Sequence, residues 1–275
     1  MAQFAKFHSK QVKEDLLCSR EDDCQASADD DFLYWYQHGR WHEQQGNLEE
    51  SLTCFKQAIE AKPLDYWAWY HKACIEDELG KFEQAVDSYR QATIVDPQNY
   101  WSWYHLGYLL AEELELLDEA INCFEKSSAL RPEDYWVNYR IGDCWRYLKN
   151  FAKAIEYYQK ASQLRPQDYW SYYRIGDCHR NLGNYRKAIE SYQKSIKYSS
   201  DCFYPYYKQG DCYRYLADFV SATKAYKMAI DLDPEDEYAW YNLGYSLAKI
   251  GQTEEALKAL NRATTINPLL SQPIT

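Results

Sequence analysis

Residues 168–176 read DYWSYYRIG, and the same phrase stands 34 positions earlier as DYWVNYRIG (134–142). Looser copies occur at 65–73 (DYWAWYHKA), 99–107 (NYWSWYHLG) and 237–244 (EYAWYNLG), with FLYWYQHG (32–39) and FYPYYKQG (203–210) in phase. The period is 34, once 35, and it divides the chain into seven units: 32–65, 66–99, 100–134, 135–168, 169–202, 203–236 and 237–270. Residues not used to find this register agree with it. All ten glycines fall at unit position 8 (Gly39, Gly107, Gly142, Gly176, Gly210, Gly244) or position 15 (Gly46, Gly80, Gly183, Gly251). Six of the eight prolines fall at position 32.

Each unit reads as two helices. In 169–202 the first spans about Tyr169 to Leu182, Gly183 supplies a turn in which a side chain would be strained, and the second spans about Arg186 to Lys197. Asp65, Asn99, Asp134, Asp168 and Asp236 stand directly before a first helix, where a side-chain oxygen accepts an orphan backbone N–H, worth about 1 kcal/mol each. The proline two residues earlier stops the preceding helix. Small residues at positions 8 and 20 let paired helices approach, and aromatics at position 24 (Phe55, Tyr89, Phe124, Tyr158, Tyr192, Tyr226) fill the space between neighbours.

This pattern resembles the tetratricopeptide repeat family. Its hallmark places are met closely in 237–270 by Trp240, Leu243, Gly244, Leu247, Ala256, Leu260, Ala263 and Pro268. Departures are Asn138 at position 4, Ser51 at position 20, Ser127 and Ser195 at position 27, and one residue inserted in the Glu112–Asp118 turn, which would shift the stacking there. The resemblance implies an all-α fold, an α-solenoid in which the seven hairpins form a right-handed superhelix around a concave channel. Such arrays contact only their neighbours, so stability is roughly a sum of unit and interface terms.

The resemblance also implies that positions 2, 5, 9, 12 and 13 of the first helices line the inner wall. Position 2 holds Trp67, Trp101, Trp136 and Trp170, then Tyr204 and Tyr238; position 5 holds Tyr36, Tyr70, Tyr104, Tyr139, Tyr173, Tyr207 and Tyr241. Two readings stand for each column, packing between helices or a ladder that binds a partner, because Trp and Tyr bury large areas at low rotamer cost and dominate interface hot spots. Units four to six add Asp143, Asp177 and Asp211 at position 9 and Arg146, Arg180 and Arg214 at position 12. These read either as a solvated ion-pair ladder or as a clamp for the backbone and acidic side chains of an extended peptide. Glu43, Asp77, Glu78 and Glu112 make the earlier units acidic, which suits a basic partner segment with cation–π contact to the Trp column. The family's clamp for C-terminal carboxylates, with Lys at 5 and Asn at 9, is not matched.

Composition narrows the functions. Lys plus Arg number 31 against 42 Asp plus Glu, a net charge of −11, so the long-range field repels nucleic-acid phosphates and anionic lipid headgroups. No apolar stretch approaches the roughly 18 to 20 residues of a membrane span, and the first residues lack a secretory pattern. A soluble cytoplasmic protein is expected. Nine cysteines, without a C-x-x-C pair and with Cys144, Cys178 and Cys212 spaced by 34, read as reduced packing thiols. His38 and His42 have a zinc-like spacing, but they replace packing residues and no third ligand is evident, so no metal or other cofactor is expected. No nucleophile-elbow, zincin or phosphate-loop motif occurs, and an enzyme is not expected.

Residues 1–31, with four basic and eight acidic residues, are expected to be largely disordered, and 271–275 a short tail. Without a polar helix over the last unit, the apolar face around Leu257, Leu260 and Ile266 is expected to pair with a second chain as a homodimer. The expected function is a protein-interaction scaffold or assembly factor holding a partner peptide in an aromatic-rich groove. The alternative is a small-molecule or glycan binder, since the same rings stack on sugars.

Overall fold

The computed structural model describes residues 28–271, which contain fourteen α-helices, a closing 3-10 turn at Pro268–Ser271 and no strand. The fold is all-α, an α-solenoid of tandem helical hairpins, and the described residues divide into two compact units, with the boundary between Ala68 and Trp69.

In the first unit, α1 (Ala28–Gln45) and α2 (Leu48–Ala61) form one hairpin. The helix starts four residues ahead of the expected boundary. Asp29, Asp30 and Asp31 form its first turn, where carboxylates favour the helix dipole, so the expectation of disorder fails for Ala28–Asp31. Residues 1–27 lie outside the described residues. Phe55 is fully buried beneath Gly39, where a Cβ would come within 3.0 Å of the ring. The departure at Ser51 is satisfied locally: its hydroxyl donates to the Gly39 carbonyl at 2.9 Å.

The second unit takes over within α3 (Tyr66–Glu78) and continues with α4 (Phe82–Val95), α5 (Tyr100–Glu112), α6 (Leu117–Leu130), α7 (Tyr135–Tyr147), α8 (Phe151–Leu164), α9 (Tyr169–Asn181), α10 (Tyr185–Tyr198), α11 (Phe203–Tyr215), α12 (Phe219–Leu232), α13 (Glu237–Lys249) and α14 (Thr253–Ile266). From α5 onward each helix packs on the one before and the one after it. The position-24 ring of the second helix sits under the position-8 glycine of the first. Tyr158, Tyr192 and Tyr226 are completely buried, and a Cβ on Gly142, Gly176 or Gly210 would lie 2.6–2.8 Å from them. Each such ring contributes roughly 1.5–3 kcal/mol of apolar burial.

The predicted caps form. Asn99, Asp134, Asp168 and Asp236 accept N–H bonds from residues two or three positions on, and Asp65 accepts from Ala68 at 3.0 Å. Asn138 donates to the Asp134 carbonyl (2.8 Å) and Ser195 to the Tyr169 carbonyl (3.0 Å), so both polar departures close on backbone. The inserted residue does not disturb the hairpin. Glu115 takes a left-handed conformation (φ 55°), the Leu116 N–H reaches back to Leu110, and Gly107 still meets Phe124 at the usual separation. Glycine fills the left-handed corner at Gly80, Gly183 and Gly251, whereas Lys149 and Ala217 fill it in two other turns. At the far end Leu257 is exposed, Leu260 and Ile266 are half-buried, and the 3-10 turn follows α14.

Candidate functional site

The first helices α3, α5, α7, α9, α11 and α13 carry the columns singled out above. Position 5 is seated on the core through α11, whereas Tyr241 on α13 is exposed. Tyr70, Tyr104, Tyr139, Tyr173 and Tyr207 lean on the position-24 rings with centroids 5.3–6.0 Å apart, most of them edge-on. Tyr139 and Tyr173 are buried. Their hydroxyls also tie successive hairpins together: Arg174 Nε donates to Tyr139 Oη at 3.3 Å, and Asn242 repeats the link to Tyr207 at 3.0 Å. On this geometry Tyr139 and Tyr173 form the wall behind a binding face, since little of either ring reaches the surface.

Position 9 is equally committed. The hydroxyls of Tyr158, Tyr192 and Tyr226 donate to Asp143 (2.6 Å), Asp177 (2.8 Å) and Asp211 (2.8 Å) across the hairpin. Burial raises the tyrosine pKa values and the adjacent carboxylate raises them further, so the phenols stay protonated and donating. The position-12 arginines approach more loosely: Arg146 to Asp143 at 3.5 Å, Arg180 to Asp177 at 3.9 Å and Arg214 to Asp211 at 3.8 Å. Arg174 crosses from the next helix to within 3.8 Å of Asp143, and Arg140 pairs with Glu112 at 2.8 Å. The carboxylates are therefore drawn inward by buried phenols, and the guanidinium groups stay nearer the surface.

Position 2 is the outermost column. Trp67 (40%), Trp170 (44%), Tyr204 (61%) and Tyr238 (52%) are exposed. Trp101 and Trp136 are half-buried, and each already has a cation: Arg131 lies over Tyr100 and Trp101, and Arg165 over Tyr135 and Trp136, with the indoles 5.2 Å away. These arginines directly precede Pro132 and Pro166, so the cation–π places foreseen for a basic partner at Trp101 and Trp136 are occupied by the chain itself. Further exposed rings, Tyr147 and Tyr215, lie beside Arg146 and Arg214, whose guanidinium carbons are 4.3 and 5.0 Å from their centroids.

Sequence reasoning missed the pairing of positions 9 and 24, although its signal was present. Where position 24 is Tyr, position 9 is Asp or Cys, and Cys74 lies 3.2 Å from the Tyr89 hydroxyl. Where position 24 is Phe or Leu (Phe55, Phe124, Leu260), position 9 holds Arg40, Tyr108 or Tyr245. It also missed Glu76, buried in α3, which accepts from Lys72 (2.7 Å) and from Ser88.

His38 and His42 meet a backbone carbonyl (Tyr34, 2.8 Å) and the Asn47 amide (3.5 Å) respectively. Among the described residues, no group of three or more His, Cys, Asp or Glu is arranged to hold a metal, and no helix is long and apolar enough to cross a membrane. The cavity between Tyr108, Glu112, Arg140 and Asp143 measures about 10 Å³, room for one water.

Family models described as tetratricopeptide repeat match residues 33–63, 54–87, 102–134, 133–201 and 237–268, and one described as TPR repeat matches 77–112 and 210–251. Among solved structures, the C-terminal part of a TPR repeat-containing protein from Cytophaga hutchinsonii aligns with a TM-score of 0.73 at 17% identity, over 85% of this chain and 95% of that one. YrrB, described as a TPR protein with an unusual peptide-binding site, aligns at 0.60 and 24% identity over 67% and 95%. MamA aligns at 0.54 and 23% over 56% and 90%. No curated protein matches the chain.

Proposed function

The chain belongs to the tetratricopeptide repeat family, and on that premise we propose that it is a non-catalytic cytoplasmic scaffold or assembly factor that holds a segment of a partner protein in a groove lined by its first helices. The observation that carries this reading is the run of exposed rings Trp170, Tyr204 and Tyr238 at one register on three consecutive first helices, α9, α11 and α13. Exposed aromatics at one register on consecutive helices offer stacking area, which is what an extended peptide needs. The peptide-binding site ascribed to YrrB fits the same use of the fold. Tyr70, Tyr104, Tyr139, Tyr173 and Tyr207 then support the floor, and Trp101 and Trp136 extend the row. Asp77 and Glu78 on α3 and Glu112 on α5 favour a basic stretch of the partner at that end. The water-sized cavity gives no comparable support to a buried small ligand.

The test is affinity capture from native lysate with wild type and the Trp170→Ala/Tyr204→Ala/Tyr238→Ala variant. Loss of a specific protein, with helix content intact by circular dichroism, supports the reading; unchanged recovery removes it.

A further inference from the structure

The chain carries a net charge of −11, yet the face of α7, α9 and α11 concentrates the opposite sign. Six cations line it, Arg140, Arg146, Arg174, Arg180, Lys208 and Arg214, against three carboxylates, Asp143, Asp177 and Asp211. In sequence these read as balanced pairs. In three dimensions they are not equivalent, because each carboxylate accepts a short bond from a buried phenol and its side chain is only 11–14% exposed. Arg180 and Arg214, at 27% and 28%, are about twice as exposed, and their ion pairs are long, 3.8–3.9 Å. The Nε atoms of Arg140, Arg180 and Arg214 are enclosed, so what these side chains offer a partner is the outer edge of the guanidinium group. Guanidinium groups held beside carboxylates that buried phenols already engage leave a surplus of positive charge on one stripe. Arg140 is partly answered by Glu112; among the described residues, Arg180 and Arg214 have their own aspartates as the carboxylates within 4.0 Å.

Resting on the scaffold reading above, we propose that this stripe docks an acidic, Asp/Glu-rich segment of the partner protein. The guanidinium groups of Arg146, Arg180 and Arg214, spaced one hairpin apart, meet successive side-chain carboxylates, while Tyr147, Tyr215 and Trp170 cover the apolar parts of the same segment. Asp143, Asp177 and Asp211, turned inward to the phenols, hold the arginines in place. A peptide suits this stripe better than a nucleic acid. A phosphate every few ångströms would feel an aspartate within 4 Å of each position-12 arginine, whereas a peptide separates its carboxylates by a neutral backbone. With the acidic α3–α5 end, the two ends of the face ask for opposite charges.

The experiment is fluorescence anisotropy on the full chain with three labelled probes of about twelve units: a Glu-rich peptide with two Leu, its Lys-for-Glu counterpart, and oligo-dT. The Glu-rich probe should bind, weaken as salt rises from about 50 to 200 mM, and lose about tenfold or more in affinity in Arg146→Gln/Arg180→Gln/Arg214→Gln. The Arg→Lys triple variant keeps the charge and should retain most of the binding, which separates charge recognition from misfolding. The Lys-rich probe should lose no affinity in the Gln variant, since removing cations can only favour it. The proposal is overturned by Glu-rich binding that the Gln variant leaves unchanged, by no Glu-rich binding at all, or by oligo-dT binding as tightly. Should the Glu-rich probe fail while partner capture still depends on Trp170, Tyr204 and Tyr238, the charge assignment falls and the scaffold reading stands.

Discussion

Tyr192, wholly enclosed in α10, donates its hydroxyl to Asp177 of α9 at 2.8 Å, so the deepest ring of the hairpin and a charge on its face are one hydrogen-bonded unit. The same link joins Tyr158 to Asp143 and Tyr226 to Asp211. Packing and surface chemistry are thereby coupled: the ring that fills the core also fixes the carboxylate that positions an arginine.

Tyr192→Phe removes this link without changing the ring. The loss should be about 1.5–3 kcal/mol, the range for a hydrogen bond to a charged group, read as a lower urea midpoint. Phe124→Tyr, whose hairpin has Tyr108 and no carboxylate at position 9, should gain nothing from its added hydroxyl.

Gly176→Ala and Gly183→Ala should differ in size and in cause. A Cβ at Gly176 would lie 2.6 Å from the Tyr192 ring, which has no room to retreat, and overpacking of this kind costs roughly 1–3 kcal/mol. At Gly183 there is open space and only the left-handed backbone (φ 75°) to pay for, about 1 kcal/mol. Calorimetric melting of the two variants checks the order.

Cys144, Cys178 and Cys212 are buried, and desolvation pushes their thiols up to about 12. The thiolate is the reactive form, so these three should resist iodoacetamide at pH 8 in the folded protein, while half-exposed Cys202 is alkylated before them. Peptide mass spectrometry after brief labelling distinguishes them.

Burial, and then the charge of Glu113, raise the Asp77 pKa above its ordinary 3.8. A raised carboxyl pKa means that the folded state prefers the protonated form, so ionisation costs stability at neutral pH and the cost fades as pH falls through the folded pKa. Asp77→Asn should therefore raise Tm at pH 7, by roughly 1 °C, and the gain should shrink toward zero near pH 3.8.

Much of the fold was written in the spacing of Gly, Pro and the N-cap residues, because these respond to local backbone needs that sequence distance alone expresses. The helix pairs, the caps at Asp134 and Asp168 and the ring columns all follow from it. The face was less legible. Whether Tyr139 projects or packs depends on the Tyr158 ring, and whether Trp136 is free for a cation depends on Arg165, which reaches it only after the chain has turned back. The balanced Asp and Arg columns were misleading for the same reason: burial by a third residue, Tyr192 or Tyr226, decides which charge of each pair the solvent meets. The start of α1 at Ala28 was hidden because a run of acidic residues looks alike in a solvated tail and at a helix N-terminus.

Glu115, Lys149 and Ala217 round corners that glycine rounds at Gly80, Gly183 and Gly251. An engineer hardening the molecule against heat would thus reverse the usual advice and introduce glycine at those three bends, relaxing a contorted main chain without touching a single packed side chain.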